Sequence, residues 1–160
     1  MTKRELLQCV IEALTQKIEN AKQSLETAQQ AAKEAPGAMQ SHSDTTKWQM
    51  SRRAEAMQSS IAETQQALSV LKSIRDHPPT ITKSSGYAIV EIENLNDGSR
   101  AKYFLLPAGG GDTYEMEGEK ITVITIGSPM ARALIGTIAG DEVEVKMHGT
   151  TKRISVVSVT

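Results

Sequence analysis

The amino-acid sequence predicts an α+β protein: an N-terminal antiparallel two-helix coiled coil, then a small antiparallel sheet domain with one short helix. Three observations carry this. Residues 3–34 contain no Gly or Pro and keep apolar or small side chains at steps of four and three for about four heptads. Beyond Pro78-Pro79 the apolar period changes to two, the strand period. Finally, Ile121 to Met147 reads as strand, capped helix, tight turn and strand.

The first helical seam runs through Leu7, Ile11, Leu14, Ile18, Ala21, Leu25, Ala28 and Ala32. A helix of this length spans roughly 45–50 Å at 1.5 Å per residue. Pro36-Gly37 ends it, and Ala35 to Ser43 reads as a loop. A second helix follows from about Asp44 to His77, with Met50, Ala54, Met57, Ile61, Thr64, Leu68 and Leu71 on its seam. Paired outward from the loop, Ala32 with Met50 down to Ile11 with Leu71, the residue numbers add to one constant. An antiparallel hairpin requires this. The alanine layers near the loop predict a close approach of the helices there. Most flanking positions are polar, so each helix buries one narrow stripe. The consecutive prolines place the domain boundary: residues 1–77 form the hairpin, with its tip at about 35–48, and residues 78–160 form the sheet domain.

In the second half, Tyr87 to Glu93 reads as a strand and Asn96-Asp97-Gly98-Ser99 as a hairpin turn. Lys102 to Leu106 pairs back, and Pro107 to Gly118 is expected to be a loop. Ile121 to Ile126 is a β-branched strand. Ser128 then caps a helix whose first position is Pro129, where the missing N–H is harmless. Gly136 stands where a left-handed cap is wanted. Gly140-Asp141 turns into Val143 to Met147, and Gly149 into a last strand, Arg153 to Val159. Four or five mostly antiparallel strands result. Their expected core is Ile89, Ile92, Phe104, Leu106, Val123, Ile126, Leu134, Ile135, Val143, Val145, Ile154, Val156 or Val157, and Val159.

Composition narrows the function. A net charge of −1 over 160 residues gives no general drive toward nucleic acid or acidic membranes. The single cysteine, Cys9, rules out an internal disulfide and reads as structural. Glu5, Gln8 and Glu12 interrupt any signal-like apolar run, and no stretch reaches membrane-spanning length. A cytoplasmic protein is expected. Gly109-Gly110-Gly111 lacks the GK[ST] ending of a phosphate loop and leads into no helix, so a loop over the sheet is expected instead.

The order S-P-x-A-R-A-L-I-G, then G-D-x-V-x-V, resembles the C-terminal domain of the bacterial Gre transcript-cleavage and elongation factors. Gly86, Asp97-Gly98, Tyr103, Ser128-Pro129, Ala133-Leu134, Gly136 and Gly140-Asp141-x-Val143 carry the resemblance. The N-terminal half matches in shape more than in motif. The resemblance implies an FKBP-like fold for the C-terminal domain and a transcription elongation factor that regulates transcription by binding bacterial RNA polymerase. It implies docking through Ser128, Pro129, Met130, Ala131 and Arg132, with the coiled coil in the polymerase's secondary channel. Such a factor is no enzyme; at most it stimulates the polymerase's own RNA cleavage. It takes no small-molecule substrate and no membrane. Nascent RNA is a second candidate partner. The one implied metal is a Mg²⁺ shared with the polymerase and held in part by two tip acids.

At the tip, His42, Ser43, Asp44, Lys47 and Trp48 are the candidate residues. Asp44 matches the first tip acid and is the candidate metal ligand; as an N-cap of the second helix it has a plainer reading. Lys47 stands where the second acid belongs, and like-charge repulsion there opposes metal recruitment. Efficient cleavage stimulation is therefore not expected, and occupation of the channel by an inhibitory homologue is the alternative. Trp48 either packs over the alanine layers or contacts polymerase or a nucleotide. Arg52 and Arg53 are candidate RNA contacts on what is otherwise a solvated helix face. Two readings of a different class remain, an FKBP-like peptidyl-prolyl isomerase or chaperone and a structural adaptor for a helical partner.

Overall fold

A computed structural model describes the backbone of residues 2–34 and 42–160 and the side chains of 2–33 and 47–160. Two long helices, α1 (Lys3–Glu34) and α2 (His42–Asp76), precede strands β1 (Ile89–Asn94), β2 (Arg100–Leu106), β3 (Thr113–Met116) and β4 (Glu119–Thr125). Helix α3 (Pro129–Leu134) and strands β5 (Glu142–Met147) and β6 (Thr150–Val159) complete the chain. Two compact units divide it: Met1–Ile11 with Ser69–Thr160, and Glu12–Leu68. The unit holding the sheet thus also takes in both helix ends nearest it.

In the helical unit, Leu14, Ile18, Ile61 and Leu68 are buried, as the facing seams require. Burial then fades along the same seams. Ala21, Leu25, Ala54 and Met57 are half-buried, and Ala28, Ala32 and Met50 are exposed. Of the alanines expected where the helices approach closely, only Ala54 is even half-buried. A methyl group offers too little apolar surface to hold two helices together. Helix α1 starts in a capping box: Glu5 N–H donates to Thr2 Oγ1 at 3.3 Å, and Thr2 N–H donates to Glu5 Oε2 at 2.5 Å.

The sheet has six strands in the order β3-β4-β2-β1-β6-β5. All neighbours are antiparallel except β2 and β4, which run parallel in the register Phe104 to Val123. The sheet is mostly antiparallel, as expected, with one parallel pairing. One correction follows: there are six strands where four or five were expected, because the stretch expected to be a loop, Pro107 to Gly118, contains β3, paired with β4 from Thr113–Thr122 to Met116–Glu119. Its four residues alternate polar and half-buried at an edge, too short a pattern to stand out in sequence. The glycine run is part of this pairing. Gly111 N–H donates to Val123 O at 2.9 Å, and Val123 N–H donates to Asp112 O at 2.9 Å.

Strand alternation sorts the core onto two faces. Val90, Ile92, Leu105, Val145, Ile154 and Val156 pack with Met130, Ala131 and Leu134 of α3. On the opposite face Ile89, Phe104, Ile121 and Val123 are buried. There the Tyr87 and Phe104 rings lie 5.7 Å apart, and Lys3 Nζ sits 4.5 Å from the Tyr87 ring centre. The start of α1 therefore covers this second face. Burial pulls the Lys3 ammonium below, and pushes the Tyr87 phenol above, their ordinary ranges. Two expected core residues are not in it: Ile126 and Ile135 are exposed. Val90, Leu105, Ile121 and Met130 are buried in addition to those expected, since the central strands are covered on both sides.

Candidate functional site

Helix α3 is built by the residues that flank it. Ser128 has extended backbone (φ −70, ψ 152), and its Oγ accepts from Ala131 N–H at 3.2 Å. Pro129 opens the helix, and Ile135 N–H donates to Ala131 O at 2.8 Å to close it. Gly136 follows at φ +87, where a Cβ would be strained. Thr137 then turns inward, and its Oγ1 donates to Leu134 O at 2.6 Å.

The segment entering the sheet domain is tied to this exit. Ser84 N–H donates to Thr137 O, and Gly136 N–H to Ser84 O, both at 2.9 Å. Ser84 Oγ donates to Leu134 O and accepts from Thr137 N–H at 3.1 Å. Ser84 had no distinguishing mark in the sequence; only the fold brings it to α3.

Of the five candidate docking residues, Met130 and Ala131 are core and face away from solvent. Pro129 and Arg132 are exposed, and Ser128 is half-buried by its capping bond. A helix of six residues on a sheet must turn one face inward, and Met130, Ala131 and Leu134 are that face. The exposed side gains residues that sequence reasoning placed in the core or passed over. Ile135 is 44% exposed and Ile138 52%. Ile126, three residues before the helix starts, is 37% exposed. Three large apolar side chains so exposed beside one short helix are a signal of contact with another surface.

The hairpin tip is described in part. Helix α2 begins at His42, so Asp44 falls inside its first turn and not at the capping position expected for it. The side chains of His42, Ser43 and Asp44 lie outside the described residues. Lys47, Arg52 and Arg53 are exposed. Trp48 is 58% exposed, and of the alanine layers Ala28 and Ala32 are exposed too, with Ala54 half-buried. The Arg52 guanidinium sits 4.6 Å from the Trp48 ring centre. Among the described residues, no three His, Cys, Asp or Glu side chains gather to hold a metal ion, and no helix is long and apolar enough to cross a membrane. Tyr87 and Phe104 are core residues.

A Ser-Pro-capped short helix thus lies on a mixed sheet, following two long helices, in the order that the resemblance to Gre factors implies. Residues 85–160 match the family described as transcription elongation factor GreA/GreB, C-terminal. It is 40% identical over 67 residues to the transcription elongation factor GreA of Polaromonas naphthalenivorans, covering 39% of this chain. The chain spans 42% of the length of that relative. Among solved structures it is similar to a transcription factor Gfh1, with 19% identity, 93% and 92% of the two chains covered and a TM-score of 0.42. A GreA/GreB factor from Nitrosomonas europaea gives 22% identity, 59% and 79% coverage and a TM-score of 0.39.

Proposed function

We propose that this chain is an accessory factor of bacterial RNA polymerase that docks through the exposed side of α3 and places its hairpin tip in the secondary channel. The observation that carries the reading is α3 itself. Within a domain of the GreA/GreB family, its capped N-terminus presents Pro129 and Arg132 to solvent beside Ile126, Ile135 and Ile138. The apolar residues supply the buried part of a contact, and Arg132 supplies a charge for an acidic partner. At the tip, Asp44 is the proposed ligand for a shared Mg²⁺. Lys47, where the resemblance asks for a second acid, opposes it. Channel occupancy that modulates elongation is therefore favoured over efficient stimulation of cleavage. Nascent RNA is the proposed second contact, through Arg52 and Arg53.

Retention of the full chain on immobilised polymerase core enzyme tests the docking. Retention is expected at micromolar protein, and Arg132→Glu should weaken it on the order of tenfold. No retention would sink the reading. Cleavage of transcripts in stalled complexes, compared with Asp44→Ala, tests the tip. Any cleavage that survives the substitution unchanged removes Asp44 as a ligand.

A further inference from the structure

We infer that Trp48 and Arg52 form a stacking site for an unpaired base of single-stranded RNA, with Arg53 and Lys47 beside it for the backbone phosphates. This deepens the reading of the tip as the RNA-facing end, and its test needs no polymerase. Trp48 is the only tryptophan in the chain. It is 58% exposed on α2, so its ring is not spent on the hairpin's own seam. Arg52, one turn on, lies 4.6 Å from the ring centre. An indole with a guanidinium against it is a pre-ordered platform: the cation fixes the ring's rotamer, and the open surface remains available to a second flat π-system. The stretch Lys47–Ala54 carries three cations and no carboxylate. The local field therefore suits a polyanion although the chain's net charge is −1. An aromatic face together with cations at phosphate reach is the pairing that binds single strands with little sequence preference. An acidic protein wall would use the cations but leave the indole without a role. A duplex would offer phosphates but no free base face.

Because Trp48 is the sole tryptophan, its emission reports the site directly. The full chain is titrated with single-stranded oligouridylate at low salt, following indole emission and, in parallel, the anisotropy of a labelled oligomer. Saturable quenching is expected, with affinity falling as salt rises. Trp48→Ala should lower the affinity read by anisotropy on the order of tenfold, while Trp48→Phe should retain most of it. Arg52→Gln should weaken both signals. Binding with unchanged emission, wild-type affinity in Trp48→Ala, equal affinity for a duplex of the same length, or no binding at all would each overturn the site. Quenching without retention on polymerase removes only the docking reading; retention without quenching removes only the stacking site.

Discussion

Ser84 is a buried hydroxyl whose partners all lie at the exit of α3: Leu134 O, Thr137 N–H and Thr137 Oγ1. Ser84→Ala would leave those groups short of a partner away from water. A loss of about 1–3 kcal/mol in urea unfolding is expected, and a loss below about 0.5 kcal/mol would show the clasp to be incidental. Asp97 illustrates the opposite setting, a fully exposed carboxylate. The Ser99 hydroxyl and amide both donate to it, at 2.5 and 2.9 Å, and hold its carboxyl below the usual range. With the folded pKa depressed, its support of the β1–β2 turn is present above the unfolded range and is lost as pH falls through the folded value. The Ser99 amide resonance should therefore titrate with a midpoint below about 3.9. A midpoint at or above that value would refute the bond. Asp97 was legible as a turn residue in the sequence; Ser84 was not, because its role depends on partners some fifty positions away.

At the scale of elements, the coiled coil was legible as two seams, but how far they close was not. Periodicity identifies which residues face each other and says nothing of how much area each contributes. Leu68 and Ile61 are buried, whereas Ala28 and Ala32 are exposed on the same stripe. Leu68→Ala should accordingly destabilise the protein by about 2–4 kcal/mol in denaturant unfolding, and Ala32→Ser by less than about 0.5. Comparable losses at the two positions would mean the seam is closed to the tip. Strand β3 shows why a loop can hide an element. A built Cβ on Gly110 would stand 2.7 Å from Thr125 N, so this backbone approaches β4 more closely than any side chain allows. Gly110→Ala should shift the thermal midpoint downward, and an unchanged midpoint would show that the edge can yield.

Taken as a whole molecule, the proposed division of labour puts docking on α3 and its effect at the tip. The two can be separated by one charge. Lys47→Glu restores the second acid that the resemblance asks for and leaves Pro129, Arg132 and the three exposed isoleucines untouched. Polymerase retention should stay the same while Mg²⁺-dependent transcript cleavage rises. Retention that falls with cleavage unchanged would place the tip in docking instead. The proposed docking side was only half legible beforehand. Ser128, Pro129 and Arg132 stood out as a capped helix start, but Ile126 and Ile135 looked like core because apolar residues beside a strand or helix are usually buried.

By itself the sequence determined the class: two helices of heptad period, and a strand-helix-strand whose cap, proline and glycine are local devices needing only their neighbours. Tertiary structure alone decided what depends on distant partners. It joined β2 to β4 in parallel, drew a strand from an expected loop, turned Met130 and Ala131 inward, and left Ile135, Ile138 and Trp48 in solvent. Local chemistry writes an element into its own residues, but exposure is a property of what the rest of the chain happens to cover.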